Sequence, residues 1–221
     1  MKKTDKLNSK DIERMNLVLS CFTDSAKEMV KDICMNKQIR LSFLGEDGTW
    51  TRWNDVVGLC WHPSKKWNHA LPHNIYLSDG LNRYSMLEVF IHELAHYKIY
   101  KQYGAGYKLP FHGKEWEKTY VSLMNPLLNE TYFPAKAIEI IANVIMKHPA
   151  SSAPWERRRI EDLCCESSLL YKIPEGTRFR IWNYNFGCFK GPKDEKTGRY
   201  LCYSRSVGKV LFGPNAEVIL L

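Results

Sequence analysis

Two histidines four residues apart, with a glutamate after the first, stand in an apolar stretch: His92-Glu93-Leu94-Ala95-His96. On a helix, residues four apart share a face one turn from each other, so both imidazoles can converge on one ion. Glu93 is then placed to take a proton from a water held at that ion. Sixteen residues after His96, His112-Gly113-Lys114-Glu115-Trp116 offers a third imidazole. Three protein ligands leave a fourth position open, the pattern of a catalytic rather than a structural zinc site. Glu115, and Glu88 one turn before His92, compete with His112 as third ligand, because carboxylates fill that place in other zinc peptidases. His112 is preferred, since imidazole suits zinc well. The plain alternative is a pair of core histidines beside a coincidental glutamate. It leaves Glu93 on an apolar helix with no role for its charge.

The motif needs a helix under it. Met86, Leu87, Phe90, Ile91, Leu94, Ala95 and Ile99 recur at helical spacing, Asn82 or Ser85 can cap the start, and Gly104 and Gly106 supply a stop. A helix over residues 84–103 follows. Gly113 permits a tight entry into a second helix over 114–124, with Trp116, Tyr120 and Leu123 on one face. Residues 10–35 carry an apolar stripe (Ile12, Met15, Leu19, Phe22, Ala26, Met29, Val30, Ile33) and predict one helix packed on the motif helix. Strands are expected at 39–44, 50–53, 56–61 and 74–77, with a turn at Gly45-Glu46-Asp47-Gly48. Together they predict a small antiparallel sheet, with 75–77 as the edge strand that would hold an extended peptide by backbone pairing. Tyr84, Tyr107 and Tyr120 are candidates for stabilising an oxyanion, by proximity in sequence only.

The run Met86-Leu87-Glu88-Val89-Phe90-Ile91-His92-Glu93-Leu94-Ala95-His96, followed by His112-Gly113-Lys114-Glu115-Trp116, resembles the SprT-like zinc metalloprotease domain. Spartan and related DNA–protein crosslink proteases carry that domain. The likeness covers roughly residues 15–126. It implies one catalytic zinc on His92, His96 and His112, with Glu93 as catalytic glutamate. It also implies a peptidase that cuts protein, in the best-known members protein trapped on DNA. Many bacterial members end in a zinc ribbon with paired Cys-x-x-Cys knuckles, and none occurs here. Cys164 and Cys165 are adjacent, while Cys188 and Cys202 stand alone. That spacing favours ordinary reduced thiols over a second zinc.

A helix is expected over 133–146, a linker at His148-Pro149-Ala150-Ser151-Ser152-Ala153-Pro154, and a short helix over 155–166 carrying Arg157-Arg158-Arg159. Beyond Pro174 the pattern changes to short strands at 177–182, 187–189, 199–204, 209–212 and 216–220, divided by glycine turns. Five short strands in about fifty residues suggest a small β-barrel of SH3-like type. The reading is therefore α+β: a helical zincin-type metalloprotease domain with a small sheet over 1–148, a linker and short helix over 149–170, and a small basic all-β module over 171–221.

That module holds nine Lys or Arg against four Asp or Glu, and the whole chain carries a formal charge of +8 with a pI near 9.0. Basic balance is compatible with DNA and equally with a solvated surface. The segment 61–67, with Trp61, Lys65, Lys66 and Trp67, has the chemistry to stack bases and meet phosphates; folding of its tryptophans onto the core is the competing reading. His62, His69 and His73 are ligand types without helical spacing. At 221 residues and 44% apolar composition the chain can build a real core. It has no apolar run of membrane-spanning length and no signal-like N-terminus, and its seven cysteines lack a disulfide framework. A cytoplasmic protein is expected. Two function classes follow: a zinc endopeptidase acting on protein, DNA-bound protein included, or a non-catalytic zinc-stabilised DNA- or protein-binding factor associated with transcription or replication.

Overall fold

The computed structural model describes residues 6–45, 56–62, 72–104, 110–147, 160, 166–181, 184, 186–205 and 207–221. The expected strand at 50–53, the linker, the basic run Arg157-Arg158-Arg159, Gly106, and most of the 61–67 segment lie outside them.

The N-terminal stripe forms two helices rather than one, α1 (Ser9–Leu19) and α2 (Asp24–Lys37). Asn8 opens α1 with a capping box, its side chain accepting from the Asp11 N–H while Asp11 accepts from the Asn8 N–H. Thr23 starts a fresh helix by accepting from the Ala26 N–H, with Asp24 favourable at the positive end of the new dipole. The apolar positions line up across this break, which is why periodicity alone reads straight through it. Met15, Val18, Leu19, Ala26, Val30 and Cys34 are all buried.

Three strands follow: β1 (Ile39–Phe43), β2 (Gly58–Trp61) and β3 (His73–Leu77). They lie in the order β1-β3-β2. β1 runs parallel to β3, Ile39 opposite His73, and β2 runs antiparallel to it, Gly58 opposite Leu77. The sheet is therefore mixed, not antiparallel throughout. The expected edge strand at 75–77 is instead the central one, because both of its edges are already hydrogen-bonded. Among the described residues, β1 and β2 are the edges.

α3 (Arg83–Tyr103) is buried continuously from Ser85 to Tyr97, so it runs through the interior rather than lying on a surface. Its start is set by Asn82, whose Oδ1 accepts from the N–H groups of Tyr84 at 3.0 Å and Ser85 at 2.7 Å. Gly104, at φ 78°, ends it. Asn82→Ala should therefore destabilise the full chain by about 0.5–2 kcal/mol, read from the midpoint of a urea unfolding curve. α4 (Lys114–Met124) packs on α3. A 3-10 turn (Asn125–Leu127) and α5 (Ala135–Ile140), which runs into a π-helical turn (Ile141–Ile145), close this part. Leu41, Leu77, Leu87, Phe90, Leu94 and Tyr120 share one apolar core.

The C-terminal strands build a second sheet and a separate apolar core of Leu170, Ile173, Phe179, Cys188, Cys202 and Val218. They are β4 (Ser167–Leu169), β5 (Arg178–Ile181), β6 (Cys188–Lys193), β7 (Tyr200–Ser204), β8 (Gly208–Phe212) and β9 (Glu217–Leu220), in the order β4-β9-β5-β6-β7-β8. All pairings are antiparallel. Among the described residues the sheet has six strands rather than five; β4 is too short for alternation to reveal it. The fold class is α+β.

This sheet is fastened to the turn that launches α3. Arg178 donates to the carbonyls of Asp79 and Leu81, and the Gly187 N–H donates to Asp79 Oδ1 at 3.2 Å. A Cβ on Gly187 would stand 2.2 Å from the Asp79 carbonyl oxygen, so only glycine permits this approach. The Arg205 guanidinium lies 4.9 Å from the Phe43 ring centroid, over the end of β1. Among the described residues, no helix is long and apolar enough to cross a membrane.

Candidate metal centre

α3 presents His92 and His96 one turn apart, and the turn before α4 brings His112 to face them. That turn is closed by the Gly113 N–H donating to the Pro110 carbonyl at 3.0 Å. A Cβ on Gly113 would come within 3.3 Å of Pro110, so the residue after His112 is tightly constrained. The Nε2 atoms of His96 and His112 are 3.0 Å apart, and those of His112 and His92 are 3.2 Å apart. Two imidazoles bound tetrahedrally to zinc at ordinary distances would be about 3.4 Å apart. The three nitrogens form a group with all ligand atoms within 4.8 Å of one another. Both the spacing and the donor type fit one zinc ion.

The carboxylate alternatives fall away on geometry. Glu88 is fully buried and accepts from the Tyr120 hydroxyl at 2.8 Å, which fixes it on the α4 side of α3. Among the described residues, no carboxylate oxygen joins the histidine group, Glu115 and Glu93 included. For Glu93 that placement is informative. A general base must stand beside the metal site without serving as a ligand.

Trp116 is the floor of the site. Its ring centroid lies 4.5 Å from those of His92 and His112 and 5.2 Å from that of His96, and Tyr120 stacks beneath it at 5.3 Å. The sequence marks Trp116 as part of an apolar face and as the aromatic end of the His112 motif. Its contact with all three imidazoles depends on how α4 crosses α3. Phe111, 74% exposed, stands at the mouth with its ring 5.1 Å from His96.

Gly58 is a residue that sequence patterning does not single out. A Cβ there would come within 2.4 Å of Val89 Cγ1 and 2.8 Å of Glu93 Oε1. The start of β2 therefore lies directly against the Glu93 carboxyl group, and only a missing side chain leaves room for it. Gly58→Ala should cost about 1–3 kcal/mol by overpacking, seen as an earlier urea midpoint, and should displace the Glu93 carboxyl group. Cys60, two residues along the same strand, feels that group as well. Burial first, and then the Glu93 charge, push its thiol well above the usual range.

The remaining candidates that the structure describes are engaged elsewhere. Tyr120 is committed to Glu88, Tyr84 packs partly buried at the start of α3, and Tyr107 and His69 lie outside the described residues. His62 and His73 meet each other rather than the three ligands. Cys188 and Cys202 are buried in the second core, with burial pushing the Cys188 thiol up to about 12, while Cys164 and Cys165 lie outside the described residues.

The basic tail also reads differently in three dimensions. Arg178 is turned inward onto Asp79 and Leu81, Arg180 is buried, and Lys190 is buried donating to the Ile173 carbonyl beneath the Tyr200 ring. Six of the nine cations stay exposed: Lys172, Lys193, Lys196, Arg199, Arg205 and Lys209. No family model, no curated protein and no solved structure matches this chain, so the assignment of the site rests on its own residues and geometry.

Proposed function

We propose that this protein is a zinc-dependent endopeptidase of the zincin type, cutting protein chains with water. The observation that carries the reading is the convergence of three imidazole nitrogens beside a buried glutamate that is not among them. His92, His96 and His112 would hold the ion. When bound, zinc supplies Lewis acidity, which eases ionisation of a water and polarises a peptide carbonyl. Glu93 accepts the proton from the attacking water and returns it to the leaving amine nitrogen. Trp116 holds the imidazoles in place from below. β2 is the edge strand nearest Glu93, and its backbone can pair with an extended substrate whatever that substrate's sequence. Phe111 offers an apolar contact at the mouth.

The test is proteolysis of an unfolded protein by the full chain, stripped of metal and reloaded with zinc. Cleavage by the zinc-loaded protein and none by the stripped one is expected. Stoichiometric zinc uptake with no cleavage, in the presence or absence of DNA, would favour the non-catalytic binding factor.

The substrate class we propose includes protein bound or crosslinked to DNA. Its support is the resemblance of the two histidine motifs to the SprT-like domain, together with the six exposed cations of the β module. Truncation is a poor test, because it strips the Arg178 and Gly187 contacts from Asp79. Charge reversal at Lys193, Lys196 and Arg199 is cleaner. It should weaken DNA binding and flatten its salt dependence by about 0.9 log units per lost phosphate contact. Unchanged affinity would remove the module from the DNA interface.

A further inference from the structure

We infer that Cys60, His62 and His73 form a second site for a zinc-like divalent ion, on the face of the three-stranded sheet turned toward α3. The register of β2 and β3 assembles it. Cys60 stands opposite Ile75 and Trp61 opposite Asn74. One further step along the same register sets His62 opposite His73. Residues directly opposite in an antiparallel pair, and residues two apart on one strand, share a face. Cys60, His62 and His73 therefore project together, on the side where Gly58 meets Glu93.

The two imidazole nitrogens converge, and the thiol lies beside one of them. His62 Nδ1 and His73 Nδ1 are 3.1 Å apart, between the two separations found for the three-histidine centre, 3.0 and 3.2 Å. Cys60 Sγ is 4.0 Å from His62 Nδ1, where a shared zinc would ask for about 3.6 Å. The three ligand atoms do not all lie within 4.8 Å of one another, so the Cys60 side chain has to turn toward His73 to complete the set. Aromatic side chains of α3 fix the ring planes. His62 stacks on Tyr100 with centroids 4.0 Å apart and planes 9° apart, and the His73 ring stands edge-on to Tyr97 at 4.9 Å. Burial pushes both imidazoles down to about 4, so both are neutral at pH 7 and have lone pairs to give. One thiolate and two imidazoles select zinc, cobalt or copper over magnesium or calcium. Binding would release the Cys60 thiol proton to solvent, as coordination of a thiol requires.

The two centres share one helix. Tyr97 follows His96 directly, and Tyr100 stands one turn beyond it. An ion on Cys60, His62 and His73 would tie the far end of the edge strand β2 to β3, beside the helix that carries the catalytic motif. The site uses none of His92, His96 or His112, so it stands or falls separately from the peptidase reading.

Cobalt is the probe. The full chain, stripped of metal and titrated with Co2+, should take up a second equivalent and develop a near-ultraviolet thiolate-to-cobalt absorption. Three histidines alone cannot produce that absorption. The band should persist in His92→Ala and disappear in Cys60→Ser and in His73→Ala, with unchanged far-ultraviolet circular dichroism showing that both variants fold. The wild-type spectrum decides even where a variant does not fold. Uptake of a single equivalent with no thiolate band would mean that His62 and His73 are only hydrogen-bonded to each other. A band that survives Cys60→Ser would place the ion on another cysteine and overturn the site equally.

Discussion

Glu93→Gln should lower kcat/KM by about 10²–10⁴-fold while leaving zinc content unchanged. That range corresponds to about 3–5 kcal/mol of lost transition-state stabilisation. The substitution suits the question because it alters little else. Glutamine keeps the length and nearly the volume of glutamate, so the packing against Val89 and the open space over Gly58 are preserved. It removes the one property the mechanism requires, a carboxylate able to accept a proton. The loss should fall on kcat, with KM nearly constant, since backbone pairing along β2 does not involve this group. Metal analysis of the same preparation supplies the control. Lost zinc would make Glu93 a ligand, against the geometry, and full activity with zinc retained would place the base elsewhere. Gly58→Ala tests the same contact from the other side. If the missing side chain on β2 is what seats the carboxyl group, the variant should lose activity beyond what its lower stability explains at a temperature where it remains folded.

The centre was legible in the sequence because its parts are local. His92, Glu93 and His96 lie on one helix whose start at Asn82 and stop at Gly104 are written in residues with definite cap chemistry. His112 sits on the next turn, held by Gly113. What spacing cannot report is how distant segments pair. Ile75, Tyr76 and Leu77 have the composition of any half-buried strand, and only the parallel partnership with β1 makes β3 central rather than an edge. The meeting of His62 and His73 likewise depends on a register fixed across eleven residues. The contact of Trp116 with the three imidazoles and the place of Gly58 against Glu93 are hidden for the same reason, since both lie in what these residues touch across helix and sheet. Arg178, Arg180 and Lys190 counted toward a basic tail in the sequence, yet the fold turns them inward, and charge composition carries no information about direction.

Replacing a ligand should remove the metal, and the pattern of losses separates the candidates for the third position. His92→Ala, His96→Ala and His112→Ala should each weaken zinc binding by more than about 100-fold, beyond the cost of losing a mere outer-shell partner. Glu88→Gln should not, since Glu88 is held by the Tyr120 hydroxyl on the α4 side of α3 and has no place among the ligand nitrogens. Stability gives a readout that does not depend on any substrate. With zinc at 100 times its dissociation constant, a site present only in the folded chain raises the unfolding free energy by about 2.7 kcal/mol. The wild type and Glu88→Gln should show that rise in urea unfolding, and the three histidine variants should lose the part due to this centre. Any rise that remains and then vanishes on adding Cys60→Ser belongs to the second site. The two centres can thus be told apart by stability alone. A His112→Ala protein that still binds zinc at full strength, while Glu88→Gln or Glu115→Gln does not, would exchange the third ligand for a carboxylate and return the coordination to the alternative that the three close nitrogens argue against.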